Sequence, residues 1–226
     1  MATAVAFLFD LDGTLVDSVY THVRAWHLAL REEDIHLSVW RIHRKIGMSG
    51  GLLTHQLLRE VGKDIDEAAI ERLRHRHSEL YQSMAGDIEP LPGARELLRR
   101  LTEERLPWAI ATSGRLETAG PNLESIEVDP GKAVVVTRDD VRHAKPDPDL
   151  FVAAARRLGT ATQGSYVIGD SIWDMIAAAR CGALGIGFLS GGYGRDELER
   201  AGALRVYDDP ADMLLHLDEL APRARD

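Results

Sequence analysis

The run Val5-Ala6-Phe7-Leu8-Phe9 passes directly into Asp10-Leu11-Asp12-Gly13-Thr14. Five apolar, strand-favouring residues in succession predict a short strand buried on both faces. Two carboxylates and a glycine right after it put a polar loop at that strand's C-terminal end, where open α/β sheets hold their ligands. The same handover recurs downstream. Trp108-Ala109-Ile110-Ala111 runs into Thr112-Ser113-Gly114-Arg115, and Tyr166-Val167-Ile168 runs into Gly169-Asp170-Ser171. Further strands are predicted at 133–136, 184–188 and 205–207, with helices over 94–105, 148–158, 172–181 and 209–220. Short strands alternating with helices predict an α/β fold, a Rossmann-like and mostly parallel sheet covered on both faces. In such a sheet the three polar strand ends share one edge, which gathers Asp10, Asp12, Thr112, Ser113, Asp170 and Asp174 in one crevice.

Residues 17–86 read differently. Val23, Trp26 and Leu30 stripe one helix, Leu53, Leu57 and Leu58 a second, and Ile70, Leu73, His77, Leu80 and Met84 a third that starts at Ile65. No strand pattern interrupts them. Residues 1–16 and 87–226 are therefore expected to form the α/β core, and 17–86 an inserted all-helical cap domain, closed off by the punctuated junction Pro90-Leu91-Pro92-Gly93.

Of the 226 residues, 45% are hydrophobic, enough for a sizeable core. A formal net charge of −9 argues against a nucleic-acid partner, which calls for a basic surface, but is compatible with an anionic substrate if a bound cation reverses the local field. The single cysteine, Cys181, has no partner for an internal disulfide. With no signal-like start and no apolar run of spanning length, the expectation is a cytoplasmic protein without a membrane partner, monomeric or weakly dimeric.

Asp10 and Asp12 lie too close to be left uncompensated. A divalent cation with a preference for oxygen, Mg²⁺ above all, would balance them, with Asp170 as a third ligand and Asp174, one helical turn on, as a fourth, directly or through water, or as a partner that orients a ligand. Gly13 lets the backbone approach an anion. Lys145, in the stiff loop Lys145-Pro146-Asp147-Pro148, suits placing a cation against phosphate oxygens or a nucleophilic carboxylate. Thr112, Ser113 and Gly114 offer hydroxyl and amide donors near a helix start, the setting of an anion site.

These residues together resemble the haloacid dehalogenase-like superfamily, in its branch with a helical cap after the first strand. Residues 9–18 (FDLDGTLVDS) match its first signature, Thr112 the second, Lys145-Pro146 the third, and Gly169-Asp170-Ser171 with Asp174 the fourth. The resemblance implies a Mg²⁺-dependent phosphatase of a small phosphorylated metabolite, a sugar phosphate or phosphoglycolate-like. Asp10 would be the nucleophile that forms an aspartyl-phosphate, and Asp12 the acid and base, its main-chain carbonyl also touching the metal. Thr112 and Lys145 would hold the phosphoryl group. The stretch His22-Val23-Arg24-Ala25-Trp26 is similar to β-phosphoglucomutases and sugar phosphatases, which gives His22 the task of orienting Asp12. Gly47-Met48-Ser49-Gly50 resembles the substrate-facing cap loop. Ser49, Arg44, Lys45 and His77 are the cap residues expected to meet the substrate, with Arg74 and Arg76 as further candidates. A β-phosphoglucomutase-like phosphotransferase is the alternative. It expects an arginine after the Gly47 loop and adjacent acids in the fourth motif, where this chain has Gly50-Gly51 and Asp170-Ser171. Trp173 is expected either under the cap or against the third motif.

Overall fold

The computed structural model describes residues 5–62 and 66–220. Strands β1 (Phe7–Phe9), β2 (Trp108–Ala111), β3 (Val135–Val136), β4 (Tyr166–Gly169), β5 (Leu184–Phe188) and β6 (Ala203–Tyr207) form one sheet. All neighbours run parallel, in the order β3-β2-β1-β4-β5-β6. The α/β fold expected from the apolar runs is the fold found. β1 is shorter than its apolar run because the Ala6 amide donates to Ser165 Oγ (3.1 Å) instead of joining the ladder.

The alternation of β1 decides the layering. Phe7 and Phe9 face one side, against Leu97, Leu98 and Leu101 of α5 (Ala94–Glu103), Leu123 of α6 (Leu116–Ser125) and, further along the same core, Met213. Ala6 and Leu8 face the other, against Phe151 of α7 (Asp149–Leu158) and Ala177 of α8 (Ile172–Arg180). This is the period-two pattern of a strand sandwiched between helical layers. α9 (Arg195–Arg200) and α10 (Pro210–Leu215) flank β6. α6 was not legible in advance: it runs through Pro121, which cannot donate to the preceding turn. α9 is too short to show a period.

Between β1 and α5 the chain builds a separate helical lobe from α1 (Val19–Glu32), α2 (Val39–His43), α3 (Gly50–Val61) and α4 (Glu67–Met84). Its own apolar cluster contains Trp26, Leu30, Ile42, Leu53, Leu57, Ile70 and Leu73. Each such side chain, once fully buried, contributes about 1.5–3 kcal/mol relative to exposure. Ile65, the expected first residue of the third helix, lies outside the described residues. The helix itself begins after Asp66, which caps it by accepting from the Ala69 amide (2.7 Å). Trp173 packs against the lobe's apolar cluster, so it sits under the lobe. No helix among the described residues is long and apolar enough to cross a membrane.

Candidate active site

The register fixes the site. Phe9 lies level with Ile110 of β2 and Ile168 of β4, so the residues that follow these strands emerge side by side. Asp10, whose amide donates to Ile168 O (2.8 Å), is buried there. The chain then folds tightly over Gly13, whose φ of +79° lies in the left-handed region that glycine tolerates. A Cβ at Gly13 would stand 2.6 Å from Asp170 Oδ2. Thr14 Oγ1 donates to the other Asp170 oxygen (3.1 Å).

Asp10, Asp170 and Asp174 each offer a carboxylate oxygen, all within 4.8 Å of one another and all buried. Lys145, fully buried, is ion-paired to Asp10 and to Asp174 Oδ1, the latter at 2.8 Å. The second Asp174 oxygen accepts from the Ser171 hydroxyl (2.6 Å) and amide (3.2 Å), which caps α8 and orients the carboxylate. Three carboxylates against one ammonium leave the cluster short of positive charge. Burial, then the Asp174 and Asp12 charges, push Asp10 up to about 7 in spite of Lys145. Burial, Asp174 and Asp10 raise Asp170 well above the carboxylate range. Burial pulls Lys145 down, but Asp10 and Asp174 outweigh it and hold the ammonium above its usual range. A buried, oxygen-only donor set short of positive charge fits a hard divalent cation such as Mg²⁺.

Asp12 faces elsewhere. Its Oδ1 accepts from Ser18 Oγ (2.6 Å) and Asn122 Nδ2 (3.0 Å) and lies 3.3 Å from His22 Nε2, while Thr112 Oγ1 donates to Oδ2 (3.5 Å). Burial alone would raise Asp12, but the His22 charge and the bonds from His22 and Ser18 hold it below its ordinary value. Its carboxylate therefore stands outside the three-acid cluster. Behind it, His22 stacks on Tyr81 (3.9 Å between ring centroids, 7° between planes), and His22 Nδ1 lies 3.2 Å from His77 Nε2. His77 in turn stacks on Trp26 at 4.2 Å. Burial, then the His22 charge, keep His77 well below the usual imidazole range.

Asn122 was missed in the sequence. It is buried on α6 and bridges two elements, since its Nδ2 donates both to Asp12 and to Tyr81 Oη (2.7 Å) on α4. The one signal available was an amide between Ala119 and Leu123 on an otherwise apolar face. Gly191 was missed too. It sits against Asp170, and no local pattern marks it.

Thr112 is buried and accepts from the Gly114 amide (3.0 Å), and Ser113 Oγ donates to Gly47 O (2.9 Å) in the lobe's loop. The Ser49 amide donates to Lys145 O (3.4 Å), so this loop is fastened directly over the acidic cluster. A cavity between lobe and core opens onto Asp10, Asp12, His22, Thr112, Ser113 and Gly114, with Trp26, Met48, Arg74 and His77 on the lobe side and Arg115 on the core side. Ser49, Arg44 and Lys45 do not line it. Arg44 pairs with Glu197 and lies over the Tyr193 ring (4.1 Å), and Lys45 pairs with Glu60 (3.2 Å). Arg76 pairs with Glu32 and Glu79 on the outer face.

The chain resembles known proteins along most of its length. A family model described as haloacid dehalogenase-like hydrolase matches residues 5–182. Hexitol phosphatase A of Escherichia coli strain K12 is 36% identical over 73% of this chain and 74% of its own. A phosphoglycolate phosphatase of Rhodospirillum rubrum is 30% identical over 92% of this chain and 88% of its own. Among solved structures, a hydrolase from Pseudomonas syringae is 56% identical and superposes with a TM-score of 0.94, covering 97% of this chain and 100% of that one.

Proposed function

Since the chain belongs to the haloacid dehalogenase-like hydrolase family, we propose that this phosphoric monoester hydrolase cleaves a small phosphorylated metabolite through an aspartyl-phosphate on Asp10. The relatives named for phosphoglycolate and hexitol phosphate support that substrate range. The observation that carries the reading is the division of labour between two neighbouring acids. Asp10 stands in a cation-seeking cluster, while Asp12, two residues on, is turned into a separate hydrogen-bonded pocket.

An Asp10 oxygen attacks phosphorus as the bond to the leaving oxygen breaks, and protonated Asp12 gives that oxygen its proton, releasing the alcohol. Water then attacks phosphorus, its proton passes to Asp12, and the bond to Asp10 breaks. Asp12 enters this second half as the carboxylate, the form its partners favour, and the proton it takes from water is the one it gives to the next leaving oxygen. Lys145 neutralises the acids beside the transferring group, and Thr112, Ser113 and Gly114 offer donors to its oxygens. Asp10, Asp170, the Asp12 carbonyl and Asp174, directly or through its hold on Lys145, would keep Mg²⁺. The cation's contribution is to offset the charge of phosphate and carboxylate so that the two anions can meet. The helical lobe, 17–86, serves as a cap that excludes bulk water and presents the substrate's remainder to Arg74 and His77.

The test is 4-nitrophenyl phosphate hydrolysis in Mg²⁺, with acid quench and mass spectrometry of the peptide carrying Asp10. Phosphate on that peptide, absent in Asp10→Asn together with turnover, is expected. Turnover surviving in purified Asp10→Asn overturns the nucleophile. In a parallel reaction with β-glucose 1-phosphate and a trace of glucose 1,6-bisphosphate, free phosphate is expected to exceed glucose 6-phosphate. The reverse would make the enzyme a mutase.

A further inference from the structure

The cavity is lined by several basic side chains on both lobe and core, and each is already answered. Arg74 Nη1 donates to Glu71 Oε2 (2.8 Å), and Glu71 Oε1 lies 3.8 Å from Arg115 Nη2 across the gap between lobe and core. Arg115 also approaches Asp139 at 3.8 Å. Arg138 donates to the main-chain oxygens of Val141 (2.6 Å) and Arg142 (3.0 Å), and His75 lies 3.3 Å from Glu79. The Arg74–Glu71 pair and the indole of Trp26 line the same cavity. A Cβ on Gly50 would stand 3.6 Å from Arg74 Nε and 3.7 Å from Trp26 Cζ2, so the glycine keeps this corner open.

Resting on the phosphatase reading above, we propose that this lining selects a neutral, polyhydroxylated chain on the phosphate, with Glu71 as the specificity-determining residue. The chemistry of the pair decides it. A guanidinium only donates hydrogen bonds and a carboxylate only accepts them. A hydroxyl does both, so it bridges Arg74 and Glu71 without parting them. Its neighbouring C–H groups lie against the apolar side of Trp26 and Met48. A second carboxylate or a phosphate dianion only accepts. It competes with Glu71 for Arg74 and meets a like charge within a few ångströms, which is discrimination by repulsion. Arg74 reads as an anion anchor only when Glu71 is left out.

The experiment compares kcat/KM in Mg²⁺ for D-glucitol 6-phosphate, a neutral-chain monoester, with 2-phosphoglycolate and fructose 1,6-bisphosphate, which carry a second anion. The neutral-chain ester is expected to lead both by about tenfold or more, and Glu71→Gln to shrink that lead by about tenfold, since the amide keeps the shape and loses the charge. Glu32→Gln, whose partner Arg76 lies outside the cavity, keeps the wild-type ratio. A wild type that prefers 2-phosphoglycolate, or a ratio unmoved in Glu71→Gln, overturns the assignment. 4-Nitrophenyl phosphate run in parallel separates the two levels. Its hydrolysis alongside a reversed ratio sinks the substrate class alone, and failure on every ester sinks the phosphatase reading and the substrate class with it.

Discussion

Gly191→Ala tests whether the acidic cluster is as tightly enclosed as its geometry indicates. The added methyl would stand 1.8 Å from Asp170 Oδ2, 2.5 Å from Cγ and 2.6 Å from Cβ, where ordinary contact begins at 3.4 Å. Turning the Asp170 side chain does not clear the clash, because Cβ stays in place when χ1 rotates. The turn carrying Gly191 is itself fastened, by Ser190 Oγ donating to Gly13 O (2.6 Å) and by His43 Nε2 at 2.8 Å from Gly191 O. The displacement, on the order of 1 Å, therefore falls on Asp170 and the loops beside Asp10. Gly191 is not among the glycines with positive φ, so backbone strain does not confuse the result. Overpacking of this kind costs about 1–3 kcal/mol of stability. A misplaced ligand costs about 10–100-fold in metal affinity, and a misplacement of about 1 Å costs about 100-fold in turnover. The assay is 4-nitrophenyl phosphate hydrolysis against Mg²⁺ concentration, with thermal unfolding on the same samples. The expected outcome is a raised Mg²⁺ requirement, a turnover about 100-fold lower at saturation and a folded protein. Gly51→Ala, whose methyl would meet nothing within 4 Å, serves as the comparison. A folded Gly191→Ala enzyme with wild-type Mg²⁺ dependence and turnover would refute the reasoning.

Asn122→Ala removes a donor to Asp12, and a hydrogen bond to a charged group contributes about 1.5–3 kcal/mol, or roughly 10–150-fold. The loss is expected mainly with alkyl phosphates, whose leaving oxygen needs a proton, and much less with 4-nitrophenyl phosphate. Equal losses on both would reduce Asn122 to a structural role. His77 is held neutral by burial and the nearby His22 charge, while the unfolded chain takes up a proton below about 6.5. Its contribution to stability is thus complete above that pH and is lost as pH falls through it. In chelator, wild type should lose stability from pH 6.5 to 5 more steeply than His77→Phe, by at most about 1.4 kcal/mol per pH unit, and parallel curves would contradict this. Chelation should abolish turnover and Mg²⁺ restore it. Ca²⁺ should not, because its larger and looser shell does not hold Asp10 in line. Full activity in excess chelator would remove the metal from the mechanism.

What the linear sequence determined is local in origin. Unbroken apolar runs such as 5–9 and 108–111 dictated strands, and the intervening helices forced those strands parallel. Polar residues at three strand ends were then bound to meet, as Asp10, Thr112 and Asp170 do. The helical stripes of the insert were legible for the same reason, since periodicity survives without knowledge of any partner. Tertiary structure alone decided where each charge spends itself. Arg44 and Arg74 are both cap arginines, yet one turns to Glu197, far along the chain, and only the other reaches the cavity. Asp10 and Asp12 are two residues apart and face different partners, because the turn over Gly13 and the approach of α6 set their directions. Asn122 and Gly191 act through neighbours more than 20 residues away, Asp12 and Asp170. Backbone periodicity is written in consecutive side chains, whereas hydrogen-bond direction and steric fit arise from groups that only folding brings together.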